Sequence, residues 1–122
     1  MAQPNRFRKL VVEAKRSITE ISPEEARTET ESGNALLIDV REGDDWRVGH
    51  AAGARHLSRG IVELEIEEQA PDLEKEIICY CGGGSRSALV AESLQKMGYT
   101  NVKSMAGGFG AWQEAGLPVT AE

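Results

Sequence analysis

The chain is poor in cysteine, carries fewer basic than acidic side chains, and has no long apolar run. Two cysteines cannot build a disulfide framework, so reduced thiols and a cytoplasmic setting are expected. Fourteen basic side chains stand against twenty acidic ones, a net charge of −6. That sign argues against sequence-independent binding to nucleic acid or acidic lipid, since both need a basic face. No stretch approaches the length of a membrane span. The charged opening from Met1 to Lys9 is not followed by the apolar core of a signal peptide. There is no internal repeat and no low-complexity tract. What remains is 122 residues, 40% hydrophobic and 28% charged, the profile of one soluble globular domain. A domain of this size buries roughly two-thirds of its unfolded surface.

Arg6 to Arg16 is basic and mildly helical, with Leu10, Val11 and Ala14 at helical spacing. It reads as an N-terminal extension, either a helix packed on the domain or a frayed arm, with a partly docked terminus expected. Ser17 to Ile21 alternates like a short strand. Ser22, Pro23 and Glu25 then place a capping serine, a proline at the first helical position and a glutamate three residues after the cap. That helix should reach Ser32 and stop at Gly33. Ala35 to Val40 is apolar on both faces until Asp39, as a parallel strand covered on both sides would be. Asp44 to Val48 suggests one helical turn and Ala54 to Leu57 a short strand. Ile61 to Gln69 fits a helix whose narrow apolar edge is Ile61, Leu64 and Glu68, although Val62, Leu64 and Ile66 also alternate. Glu76 to Tyr80 reads as a buried strand, and Ser85 to Met97 as a helix with Val90, Leu94 and Met97 on one stripe. Asn101 to Met105 is a further strand and Phe109 to Ala115 a last short helix. Five strands alternating with helices predict an α/β fold: a mostly parallel five-stranded sheet with helices on both faces.

Between the strand ending at Tyr80 and the helix opening near Ser85 lies Cys81-Gly82-Gly83-Gly84-Ser85-Arg86-Ser87. A glycine costs roughly 0.5–1 kcal/mol relative to alanine where no special backbone angle is needed. Three in succession make sense if main-chain N–H groups must converge on something. In open α/β sheets ligands sit at the carboxyl ends of the strands, where this loop falls. A helix opening from such a loop adds unpaired N–H groups and partial positive charge, an anion cradle. The same groups favour thiolate over thiol at Cys81 and lower its pKa. Arg86, in the first helical turn, can donate to an anionic substrate. A thiolate is already a nucleophile, so no histidine base is required. The competing reading is a buried structural cysteine beside a flexible loop, which explains neither the glycines nor the arginine.

This loop resembles the active-site loop of the rhodanese superfamily, Cys-x-x-Gly-x-Arg-Ser. Leu37-Ile38-Asp39-Val40-Arg41-Glu42 is similar to that family's Asp-Val-Arg strand end, and Gly49-His50-Ala51-Ala52-Gly53-Ala54 to its Gly-His-x-x-Gly-Ala turn. Ala106 to Trp112 is similar to its Gly-Gly-x-x-x-Trp segment, followed by Leu117-Pro118-Val119. The likeness covers roughly residues 17 to 120, giving a helical extension over 1–16 and a rhodanese-like domain over 17–122. Family members usually carry isoleucine and proline where Ala51 and Ala52 stand. The resemblance implies sulfur transfer without a cofactor: the Cys81 thiolate takes a sulfane sulfur from thiosulfate or a similar small anionic donor. The resulting persulfide passes it to cyanide or a thiol, with ping-pong kinetics. Cys81 and Arg86 would be catalytic, and Gly82, Gly83, Gly84, Ser85 and Ser87 would bind substrate through the loop's N–H groups. A protein donor or acceptor of sulfur is compatible with the same site.

Two other readings stand beside this one. Related phosphatases and arsenate reductases carry one more residue between cysteine and arginine, whereas four separate Cys81 from Arg86 here. A non-catalytic or sulfur-relay module that binds a protein is the other, although such modules often lack the cysteine. Asp39 and Arg41 are expected to form a structural ion pair supporting the loop. His50, His56, Cys79 and Cys81 lack the spacing of a zinc site, so no metal is expected. Cys79 is expected in the core, Trp46 and Trp112 in packing, and Arg55 and Arg59 on the solvated surface. The family's substrate rim usually comes from side chains at the second and third loop positions, where Gly82 and Gly83 offer none. An open, permissive mouth is therefore expected.

Overall fold

A computed structural model describes residues 4–122. The first three positions of the expected extension, and of the charged opening, lie outside the described residues. A five-stranded, all-parallel sheet forms the centre, built from β1 (Thr19–Ile21), β2 (Ala35–Asp39), β4 (Arg55–His56), β5 (Glu76–Tyr80) and β6 (Val102–Met105). Their order across the sheet is β1-β6-β5-β2-β4, so β2 and β5 lie in the interior and every residue of both is buried. Their side chains divide by the two-residue period of a strand. Leu36, Ile38, Ile77 and Cys79 pack against Val62 and Ile66 of α4 (Val62–Gln69) and Val90 and Leu94 of α5 (Ser85–Lys96). Leu37, Ile78 and Tyr80 pack on the other face against Ala26 of α2 (Pro23–Glu31) and Phe109 and Trp112 of α6 (Gly108–Glu114). Burying each large aliphatic side chain contributes about 1.5–3 kcal/mol.

The local signals act as expected at α2, where the Glu25 amide donates to Ser22 Oγ at 3.1 Å and Ser22 N–H donates to the Glu25 carboxylate at 3.4 Å. Two helical faces differ from expectation. In α4 the buried residues are Val62 and Ile66, four apart, while Leu64 is 82% exposed. In α1 (Asn5–Ser17) Val11 and Ala14 are buried, but Leu10 is 61% exposed and Phe7 takes its place on the packed face. Phe7, Val11 and Ala14 stand at i, i+4 and i+7, and this stripe packs on Ala88 and Leu89 of α5. Along Asn5–Ser17 the chain thus forms a further packed layer outside α5.

One small sheet was not foreseen. After the short α3 (Gly43–Val48), β3 (His50–Ala51) pairs antiparallel with β7 (Val119–Thr120). The Ala52 amide extends this ribbon by donating to the Pro118 carbonyl at 3.0 Å. The proline usual in the family would have no N–H to give at that position.

Candidate active site

Chain order and strand order together place the site. From β5 the chain continues to β6, whereas from its neighbour β2 it continues to β4 on the opposite side. Loops that diverge in this way open a crevice at the carboxyl ends of the strands. Cys81 leaves β5 into that crevice, and Asp39, Arg41 and Glu42 leave β2 into it.

Cys81 is only 2% exposed as a residue, and its sulfur is at the amino end of α5. Its Sγ accepts from the Gly84 amide at 3.1 Å and from the Ser87 amide at 3.4 Å, and lies 3.5 Å from Ser87 Oγ. Burial pushes the thiol pKa up, but the Ser87 hydroxyl and the amides of Ser87, Gly84 and Gly83 outweigh it and bring the pKa below its ordinary value. Ser87 Oγ lies 2.8 Å from Ser104 Oγ of β6, so a buried serine pair backs the sulfur. Sequence reasoning missed Ser104, because a serine on a short strand carries no signal of its own. Cys79 is fully buried in the apolar core, where burial first and the neighbouring Cys81 second push its thiol from 9.0 up to about 12.

What aims the loop amides comes from α6. The Phe109 amide donates to the Cys81 carbonyl at 2.8 Å, and the Gly110 amide to the Gly82 carbonyl at 3.1 Å. In a trans peptide the carbonyl and the following N–H point in opposite directions. Seating both carbonyls on α6 therefore turns the Gly82 and Gly83 amides away from it. This close docking needs Gly108, where a Cβ would stand 2.5 Å from the Cys81 carbonyl oxygen. The sequence displayed this segment as a motif but not its role. The three loop glycines also differ in kind. Gly84 has a φ of +100°, which L side chains rarely adopt, whereas a Cβ on Gly82 or Gly83 would meet nothing within 4 Å. Gly84 serves the backbone; Gly82 and Gly83 leave the mouth open.

Asp39 and Arg41 form the expected ion pair, buried and two-pronged: Nη2 donates to Oδ2 at 2.8 Å and Nε to Oδ1 at 3.1 Å. The guanidinium also donates to the Gly49 carbonyl at 2.7 Å and lies 4.3 Å from the Phe109 ring centroid. It thereby braces the helix on which the loop rests. Burial lowers the Arg41 pKa, but the hydrogen bond and charge of Asp39 hold it raised. Arg86 is half-buried at the mouth, where its Nη1 donates to the Glu42 carboxylate at 3.2 Å. Glu42 stood in the sequence next to Arg41 without a role; here its exposed carboxylate reaches Arg86 from the β2 side.

A cavity of about 190 Å³ lies over the loop, lined by Phe7, Cys81, Gly82, Gly83, Ser85 and Arg86. A larger concavity of about 370 Å³ is lined chiefly by Glu24, Glu25, Glu29 and Glu76 and contains no thiol, whereas the smaller one holds Cys81. The histidines are engaged elsewhere. Trp46 stacks on both, with centroids 3.3 Å from His50 and 5.1 Å from His56, and their ring nitrogens reach the carbonyls of Trp46 and Arg41. Trp112 is buried and donates to the Pro118 carbonyl. Arg55 and Arg59 are exposed.

Comparison with known proteins agrees with this geometry. The Rhodanese-like domain family matches residues 22–115. The thiosulfate sulfurtransferase GlpE of Actinobacillus succinogenes is 38% identical over 103 residues, 84% of this chain and 91% of that protein. The solution structure of the polysulfide-sulfur transferase homodimer of Wolinella succinogenes has a TM-score of 0.81 at 30% identity, covering 94% of this chain and 87% of that one. A Rhodopseudomonas palustris protein of unknown function, a possible tyrosine phosphatase, has a TM-score of 0.82 at 33% identity and covers 98% of this chain and 99% of its own. The family match spans the Cys81–Ser87 loop, the β2 end and the α6 seat alike, and the chain belongs to the Rhodanese-like domain family.

Proposed function

We propose that this chain is a sulfurtransferase that moves a sulfane sulfur from thiosulfate or a similar donor to a nucleophilic acceptor through a persulfide on Cys81. The observation that carries this reading is a sulfur, held by the Ser87 hydroxyl and the Ser87 and Gly84 amides that lower its pKa, in a residue that lines a small cavity. The thiolate attacks the outer sulfur of thiosulfate; the S–S bond to the sulfonate breaks, and sulfite leaves with its electron pair. Cyanide or a thiolate then attacks the outer sulfur of the persulfide, departs as thiocyanate or a new persulfide, and restores the Cys81 thiolate. Charge balances in both halves, and no redox partner is consumed. Gly82, Gly83, Gly84, Ser85 and Ser87 supply the cradle for the transferred sulfur, and Arg86 meets the anionic end of the donor. Asp39 and Arg41 support from beneath. The Arg86–Glu42 pair is partly exposed and contributes at most about 1 kcal/mol, so an incoming anion can displace Glu42.

The names of the relatives support the same chemistry, with thiosulfate for one and polysulfide for the other. The relative named a possible tyrosine phosphatase favours a second reading. Against it stand the four residues between Cys81 and Arg86, a loop shorter by one than the phosphatase pattern. A sulfur-relay role with a protein donor or acceptor uses the same persulfide. We further assign 1–16 as the helical extension and 17–122 as the rhodanese-like domain, acting in the cytoplasm with both thiols reduced. Among the described residues no helix is long and apolar enough to cross a membrane.

Intact mass after incubation with thiosulfate tests the proposal. A gain of one sulfur, reversed by a reductant, is expected in the wild type and in Cys79→Ala but not in Cys81→Ala. Hydrolysis of an aryl phosphate with no sulfur uptake would transfer the assignment to phosphatase chemistry.

A further inference from the structure

Resting on the sulfurtransferase reading, we infer that Phe7 of the N-terminal helix is a specificity-determining residue that selects organic sulfur donors, monoanions with an apolar body, over inorganic thiosulfate. The wall that the loop lacks comes from elsewhere in the chain. Gly82 and Gly83 leave open space where side chains would stand, and Phe7 lines that same cavity beside Cys81 and Arg86. Its ring packs against the cluster of Val11, Ala14, Ala88 and Leu89, so it is held by a helix docked on the helix that also carries Arg86. A wall fixed in this way keeps its position better than a residue on a loop. Phe7 lies before the family match at residues 22–115, so the family pattern does not supply this wall.

Size and charge agree on the class of donor. A cavity of about 190 Å³ exceeds the share of several waters at about 30 Å³ each, more room than one small anion fills. Among the described residues Arg86 is the one cationic side chain lining the cavity, and the Glu42 carboxylate stands beside it. A donor with one negative charge therefore meets less repulsion than the thiosulfate dianion. An aryl thiosulfonate satisfies each requirement: its ring lies against Phe7, its sulfonyl group faces Arg86, and its outer sulfur reaches Sγ. The Cys81 thiolate takes that outer sulfur, the S–S bond breaks, and an aryl sulfinate leaves with the electron pair.

The test compares benzenethiosulfonate with thiosulfate as donors at fixed acceptor concentration, and reads the ratio of their kcat/KM values. The wild type should favour benzenethiosulfonate. The ratio should fall about tenfold in Phe7→Ala and about threefold in Phe7→Leu, which keeps an apolar side chain against Val11. It should stay within twofold in Leu10→Ala, a change on the outward face of the same helix. Far-UV circular dichroism checks that the helix persists. A ratio unmoved in both Phe7 variants, or moved equally by Leu10→Ala, overturns the inference while leaving sulfur transfer intact. A wild type that takes sulfur from neither donor removes the underlying reading as well.

Discussion

At Cys81 two opposing effects meet. Burial favours the neutral thiol, and the converging amides with the Ser87 hydroxyl favour the anion. Ser87 is the residue on which the balance turns, since it contributes both a hydroxyl and an amide. Replacing it by alanine removes the hydroxyl and leaves buried Ser104 without that partner. The pH midpoint of Cys81 alkylation by iodoacetamide should move upward in Ser87→Ala, and kcat/KM for sulfur transfer should fall about tenfold to a hundredfold. An unpaired buried hydroxyl costs about 1–3 kcal/mol, whereas removing both partners can be nearly neutral. The double variant Ser87→Ala with Ser104→Ala should therefore regain stability in urea unfolding while its alkylation midpoint stays high. Recovery of the wild-type midpoint in the double variant would show that folding, not charge, set the reactivity. Cys81, Arg86 and Ser87 were legible at this scale because each belongs to one short contiguous run. Ser104 and Glu42 were not, because what they do depends on pairing between strands that a linear pattern does not display.

Among the elements, α6 does more for the site than its length suggests. Its first turn holds the carbonyls of Cys81 and Gly82, and only a glycine at 108 allows that approach. Gly108→Ala should lose about 2 kcal/mol or more in urea unfolding, through both the contact and the positive φ of +59°. It should also slow Cys81 alkylation at neutral pH, because the amides lose their aim. Gly82→Ala, with nothing near its Cβ, should leave stability unchanged or raise it by about 0.4–1 kcal/mol. Equal losses in the two variants would mean that the seat is not what holds the loop. Elements with long apolar runs or paired caps, such as β2, β5, α2 and α5, could be read directly. The face of α4 could not, because Ile61, Val62, Leu64 and Ile66 offer two apolar edges and only the sheet above them chooses. The β3–β7 ribbon could not either: two strands of two residues have no periodicity to detect.

Across the whole molecule, groups buried in opposite electrostatic settings shape the response to pH. Cys79 is raised from 9.0 to about 12, so its contribution to stability is complete below its unfolded value and disappears as pH climbs through the folded one. Burial raises Tyr80 and Tyr99 with the same sign. Cys81 has the reverse sign: its contribution is present above its unfolded pKa and lost as pH falls through its lowered folded value. The urea midpoint of the wild type should drop as pH rises from about 9 toward 12. In Cys79→Ala the starting midpoint should be lower and the decline shallower; an identical slope would place the alkaline weakness elsewhere. The parallel sheet with helices on both faces was legible at this scale because strands and helices alternate along the chain. Which helix would wall the crevice was not, since a terminal segment can dock on any exposed neighbour.

The seat that α6 provides for the Cys81 and Gly82 carbonyls has a consequence for biosynthesis. A ribosome releases Cys81 well before Gly108, Phe109 and Gly110 leave the exit tunnel. The share of the cradle that the Gly82 and Gly83 amides contribute is thus completed only when α6 settles, whereas the Gly84 and Ser87 donors come with α5.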